Sequence, residues 1–204
     1  MKIQSATFHS SAPDLPSCPD SAFPEFAFIG RSNVGKSSVI NMLTRKKDLA
    51  KISGTPGKTR LINFFTINDN WSLVDLPGYG YAKVGRKERG DFSAFVADYL
   101  QRRPNLRGTF VLIDSRLSPQ KIDLEFLRWM VGCELPFVLL FTKTDKLSGT
   151  GAQENIGAFL EAMREISGDR PEMLLSSSKL GRGRPEILAL IAAALEEAPA
   201  EEDA

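Results

Sequence analysis

The sequence predicts an α/β fold: an open sheet of six strands, mostly parallel with one antiparallel strand, and helices on both faces. Three observations predict it. Six short runs rich in Val, Leu, Ile and Phe are spaced along the chain. All but one of the gaps between them are long enough to hold a helix. The exception is Asn68-Asp69-Asn70, too short for a crossover, so its flanking strands must pair as an antiparallel hairpin.

The strands are read as Glu25–Ile29, Leu61–Ile67, Trp71–Asp75, Thr109–Asp114, Pro136–Thr142 and Glu172–Ser176. A helix after the first carries Val39, Ile40 and Leu43. Ser118-Pro119 signals another helix start, serine as N-cap and proline in the first turn. That helix is expected to present Ile122, Phe126, Leu127 and Met130 on one side. Pro185 opens a last helix with Ile187, Leu188, Ile191 and Leu195. Residues 1–21 read as a loosely ordered segment, 22–195 as one domain and 196–204 as an acidic tail. Gly80 to Gly90 reads as a polar, mobile loop.

Composition narrows the function classes. With 204 residues, 42% hydrophobic and 25% charged, the chain is neither disordered, collagenous nor a disulfide scaffold. No apolar run approaches the ~20 residues that span a bilayer, and the start lacks a signal-peptide core, so no membrane association is expected. Two cysteines and one histidine make no zinc cluster, and a reduced, cytoplasmic setting is expected. The net charge of +1 conceals five acids in the tail, at Glu196, Glu197, Glu201, Glu202 and Asp203. From Arg45 to Arg107 the local balance is +7.

Gly30-Arg31-Ser32-Asn33-Val34-Gly35-Lys36-Ser37 follows the first strand directly. It fits the phosphate-loop pattern G-x-x-x-x-G-K-[ST]. Glycines let consecutive backbone N–H groups converge on phosphate oxygens, and the next helix adds its positive end. Lys36 supplies a point charge for the outer phosphates, and the Ser37 hydroxyl suits Mg²⁺. Ser38 continues the turn. The motif alone does not separate ATP from GTP.

Base recognition is expected one layer over. Thr142-Lys143-Thr144-Asp145 ends the fifth strand, and a carboxylate there can accept both N1–H and the 2-amino group of guanine, which adenine lacks. The Lys143 stem can cover one face of the base. Ser176, Ser177 and Ser178 end the last strand, where backbone N–H groups can meet the guanine O6.

Two segments suit the γ-phosphate. Asp75-Leu76-Pro77-Gly78 places Asp75 to hold Mg²⁺ through water and the Gly78 N–H to meet the phosphate. Upstream, Thr55 and Thr59 both qualify to bind Mg²⁺ and the γ-phosphate.

Taken in order, GRSNVGKSS (Gly30–Ser38), TPGKTR (Thr55–Arg60), INFF (Ile62–Phe65), DLPGYGY (Asp75–Tyr81) and TKTDK (Thr142–Lys146) resemble the EngB family of bacterial ribosome-assembly GTPases, with a Ras-like P-loop fold. The resemblance spans roughly residues 22–195. It implies Thr59 rather than Thr55 as the Mg²⁺-binding threonine, beside Ser37, with Gly57, Lys58, Arg60 and Leu61 lining the nucleotide. It implies Lys36, Thr59, Gly78 and Asn33 as the catalytic groups. Tyr79 stands where Ras-type proteins carry the glutamine that orients water, so intrinsic hydrolysis is expected to be slow. Asn33 matches an asparagine that holds K⁺ in related GTPases. The alternative, that Asn33 only shapes the loop, stays open.

The implied partners are GTP and GDP and a large-subunit precursor with its ribosomal RNA, bound by a monomer. Arg45, Lys46, Lys47, Lys51, Lys58, Arg60, Lys83, Arg86, Lys87, Arg89, Arg102, Arg103 and Arg107 supply a candidate phosphate-binding surface, with Tyr79 and Tyr81 as bases' stacking partners. A P-loop ATPase or small-molecule kinase is the rival reading, and a septation factor acting in cell division the third.

Overall fold

The computed structural model describes residues 1–50, 61–79, 86–146 and 150–197. Among these, seven strands form one sheet: β1 (Ala6–Ala12), β2 (Glu25–Gly30), β3 (Ile62–Ile67), β4 (Trp71–Asp75), β5 (Leu106–Asp114), β6 (Val138–Thr142) and β7 (Met173–Leu175). Their spatial order is β1-β3-β4-β2-β5-β6-β7. The pairs β4–β2, β2–β5, β5–β6 and β6–β7 are parallel, while β3 runs antiparallel to both β1 and β4. The expectation of one antiparallel strand holds, and the strand count rises from six to seven.

Among the described residues, five α-helices cover the sheet: α1 (Lys36–Thr44), α2 (Arg86–Arg102), α3 (Lys121–Gly132), α4 (Thr150–Ser167) and α5 (Arg184–Glu196). The alternation of β2 sorts its side chains between two cores. Ala27 and Ile29 join Val96, Tyr99, Leu127, Met130 and Phe159 from α2, α3 and α4. Phe26 and Phe28 join Val39, Ile40, Leu43, Ile187, Leu188 and Ile191 from α1 and α5. The carboxyl ends of β2, β4, β5 and β6 therefore meet on one edge, where open α/β sheets bind ligands.

The added strand corrects the reading of residues 1–21 as loose. In ATFHSSA only Ala6 and Ala12 are buried, so no apolar alternation marks it. Tertiary contacts hold it instead. The β3–β4 turn has Asn68 and Asp69 at φ 50° and 53°, conformations Asn and Asp tolerate. There the Asn68 side chain accepts from the Gln4 and Ser5 N–H groups and donates to the Lys2 carbonyl. Further along, Arg103 donates to both oxygens of buried Glu25 and to the Pro19 carbonyl. Asn105 donates to the Ser21 and Phe23 carbonyls.

Three smaller corrections bear on the site. α3 starts at Lys121 with Gln120 as N-cap, not at Ser118. The Ser118 carbonyl instead accepts from the Gln120 side chain. The buried face runs through Asp123, Leu127 and Met130, so Ile122 faces outward and Asp123, 1% exposed, faces inward. Of the loop read at Gly80–Gly90, residues 86–90 are the first turns of α2, and 80–85 lie outside the described residues.

Replacing Arg103 with Ala leaves Glu25 buried beside the Tyr99 hydroxyl alone among its described side-chain partners. Urea unfolding is expected to show a loss of about 3 kcal/mol, the size for one partner removed from a buried pair. A loss within about 1 kcal/mol would mark the pair as surface-like.

Candidate functional site

The chain leaves β2 at Gly30 and turns into α1. Gly35 is the N-cap at φ 106°, a conformation that favours glycine, and no side chain caps the helix. Its first-turn N–H groups are thus left to an anion. Asn33 sits at φ 64°. Lys36 is drawn inward, its ammonium in contact with Asp75 Oδ1 at the end of β4. Burial lowers the Lys36 ammonium to about 7. Ser37 and Ser38 occupy the same first turn.

The segment after β4 lies across this loop. The Leu76 N–H donates to the Phe28 carbonyl at 3.0 Å, and Leu76 and Pro77 are buried. A Cβ at Gly78 would stand 2.7 Å from the Gly30 carbonyl and 3.3 Å from the Ser32 nitrogen, so only glycine allows this approach. Tyr79 is turned in: its hydroxyl donates to Asp123 Oδ1 at 2.9 Å and its ring stacks on Phe126 at 4.3 Å. This corrects its expected role as a base-stacking aromatic. Arg31 Nε donates to both Asp123 oxygens, at 2.9 and 3.0 Å. Burial pushes the Asp123 carboxyl up, against the lowering effects of Arg31 and the Tyr79 hydroxyl.

The end of β6 is tied to the same loop. Thr142 Oγ1 lies 2.7 Å from Val34 O and 3.2 Å from Ile113 O, and its one proton suits the nearer carbonyl. Lys143, at φ 61°, spans the gap with its ammonium 2.7 Å from Asn33 O and 2.8 Å from Asp114 Oδ2. Burial raises the Asp114 carboxyl, but the hydrogen bonds from Arg116 and Lys143 and the Lys143 charge outweigh it and hold it at about 2. Thr144 bonds the Ser176 carbonyl through both its N–H and its hydroxyl. Ser177 Oγ donates to Asp145 Oδ1 at 2.7 Å, and Ser177 pairs with Arg182 in both directions. Ser178 is exposed.

Gly30–Ser38, Asp75–Gly78, Thr142–Asp145 and Ser176–Ser178 thus converge on one edge. Thr55, Gly57, Lys58, Thr59 and Arg60 lie outside the described residues, as does Tyr81, and Leu61 precedes β3. Asp114 and Asp123 are not singled out by sequence. Asp114 has a signal, a lone carboxylate closing an apolar run as Asp75 does. Arg103, one of the candidate surface cations, is committed to Glu25.

A metal would find hard oxygen donors here in Ser37 and Asp75, which suit Mg²⁺. Among the described residues no three acidic, Cys or His side chains cluster. No described helix is long and apolar enough to cross a membrane.

A family model described as 50S ribosome-binding GTPase matches residues 25–143. The chain is 52% identical to "Probable GTP-binding protein EngB" of Bacteroides fragilis, over 92% of this chain and 94% of that one. It is 50% identical to the protein of the same name in Flavobacterium johnsoniae, over 94% and 91%. Among solved structures, a probable GTP-binding protein engB superposes with a TM-score of 0.67 at 21% identity, covering 85% of this chain and all of that one. Era bound to MgGDPNP and a piece of 16S ribosomal RNA superposes at 0.66 with 20% identity, over 87% and 58%. These two likenesses establish the fold.

Asp114 stays ionised in the folded chain down to about 2, against 3.8 ordinarily. Its pairing therefore adds stability that is full above the ordinary value and is lost as pH falls through about 2. Asp114→Asn is expected to flatten the stability profile across that acid window, read by urea unfolding at stepped pH. An unaltered slope would contradict the pairing.

Proposed function

The chain belongs to the EngB family of GTP-binding proteins, with a GTPase domain, and from that premise we propose that it is a nucleotide-gated switch in assembly of the large ribosomal subunit. The observation that carries the reading is the double tie between the two loops, Thr142 Oγ1 to Val34 O and Lys143 Nζ to Asn33 O. It makes one cradle of the phosphate loop and the strand end that bears Asp145. In this reading Asp145 accepts from guanine N1–H and the 2-amino group, held in aim by Ser177. The Gly30–Ser38 loop takes the phosphates, with Lys36 on the outer ones. An arriving phosphate restores the buried Lys36 ammonium toward its ordinary basicity.

Mg²⁺ would be held by Ser37, Thr59 and, through water, Asp75, and it supplies charge neutralisation between the outer phosphates. Thr59 and the Gly78 N–H then sense the γ-phosphate, and its loss releases both segments. With Tyr79 in the glutamine position, hydrolysis is slow. Asn33 is the K⁺-holding candidate, and faster turnover in K⁺ than in Na⁺ at matched ionic strength is its signature.

The partner is the large-subunit precursor. The family description of a 50S ribosome-binding GTPase supports this. Arg45, Lys47 and Arg107 are exposed cations available for RNA phosphates, whereas Lys46 donates to the Ala6 carbonyl and Arg102 pairs with Asp98. The protein acts in the cytoplasm as a monomer, and any effect on septation is indirect, through ribosome supply.

Competition against labelled GDP tests the nucleotide. GTP is expected to displace it and ATP to fail at a hundredfold excess, the scale of rejection for a lost buried polar pairing. Asp145→Asn is expected to move preference toward xanthine nucleotides. Equal displacement by ATP would favour the ATPase or kinase reading.

A further inference from the structure

We propose that Asp123 is a positioning residue of the GTPase site: one carboxylate that fixes the sensor loop after β4 against the phosphate loop after β2. The proposal rests on the GTPase reading above and adds to it a residue on α3, a helix that supplies none of the expected nucleotide contacts.

Asp123 is 1% exposed on a helix whose other fully buried side chains, Leu127 and Met130, are apolar. Packing alone would be served by another leucine there. A buried carboxylate is costly unless its oxygens are fully engaged. Here both oxygens share the single Arg31 Nε–H, and Oδ1 also accepts the Tyr79 proton.

The two donors are neighbours of the two glycines whose backbones meet. Arg31 follows Gly30 and Tyr79 follows Gly78, and a Cβ on Gly78 would stand 2.7 Å from the Gly30 carbonyl. Asp123 therefore grips the chain one residue beyond each side of the tightest approach between the loops. Phe126, one turn along α3, adds a stacked ring under Tyr79 at an interplanar angle of 19°. With its hydroxyl on Asp123 and its ring on Phe126, Tyr79 is turned to α3 rather than toward an attacking water. Its part is to set where the Gly78 N–H lies. In the GTPase reading that N–H meets only the γ-phosphate, so the link favours triphosphate over diphosphate.

Four full-length proteins test this: wild type, Tyr79→Phe, Asp123→Asn and the double variant. Tyr79→Phe keeps the ring and removes one hydroxyl. Affinities are measured for GDP and for a non-hydrolysable GTP analogue, with single-turnover GTP hydrolysis alongside. In each single variant the analogue is expected to bind about tenfold more weakly, the scale of a hydrogen bond to a charged group, while GDP changes less than about twofold. Hydrolysis is expected to slow to a similar degree at saturating GTP. The double variant should be no worse than the poorer single variant, because Asp123→Asn weakens, by removing the charge, the same link that Tyr79→Phe removes.

A purely structural role would weaken both nucleotides together and lower the thermal midpoint. Parallel losses, an unchanged ratio in both single variants, or additive losses in the double would overturn the proposal. If Asp123→Asn does not fold, Tyr79→Phe decides the question by the same ratio. Wild-type binding reports on the GTPase reading separately. A wild type that binds neither guanine nucleotide ends that reading and this one, whereas binding without any variant effect ends only the role of Asp123.

Discussion

Everything at the ligand edge depends on how the end of β6 is lashed to the loop after β2. Two residues in succession, Thr142 and Lys143, reach across to the carbonyls of Val34 and Asn33. The Val34 carbonyl is buried and, left unmet, would carry the full desolvation cost, while the Asn33 carbonyl lies at the surface. Side-chain donors from the end of β6 meet both, and in doing so set the spacing between a strand-end carboxylate and a phosphate cradle. Many GTPases carry asparagine where Thr142 stands. A hydroxyl with one proton to give makes the nearer of the two possible bonds, which is enough to hold the loops together.

The charges around this lash are arranged in pairs. Lys36 at the start of α1 meets Asp75 at the end of β4, and Lys143, just past β6, meets Asp114 at the end of the adjacent parallel strand β5. Arg31 and Asp123 close the third side from α3. The topology makes this possible: parallel strands deliver their carboxyl ends to one edge, so a polar residue closing each apolar run arrives next to the others. Breaking one of these buried pairs leaves a charge without its partner, so each half keeps the other in place.

Legibility in the sequence follows the chemistry. The phosphate loop is readable because backbone convergence on an anion demands glycines and a lysine at set offsets. The hairpin is readable because three polar residues cannot span a parallel crossover. β1 is hidden because ATFHSSA buries only its end alanines, and its place comes from Asn68, over fifty residues away along the chain. Asp123 is hidden because apolar residues are taken for the inner face of its helix, which puts Ile122 there. The face that is buried runs through Asp123, Leu127 and Met130 instead, and no apolar pattern marks a carboxylate on it. Tyr79 reads as an exposed aromatic because nothing local says that a ring on α3 waits beneath it.

The central claim is that phosphate and base elements act as one body because of the lash. Calorimetry of GDP binding to Thr142→Val tests it most directly, since valine keeps the volume and removes only the hydroxyl. The account predicts affinity at least about fivefold weaker, about 1 kcal/mol, as the Val34 carbonyl loses its donor. Affinity equal to that of the unaltered chain, with the variant fully folded, would contradict it.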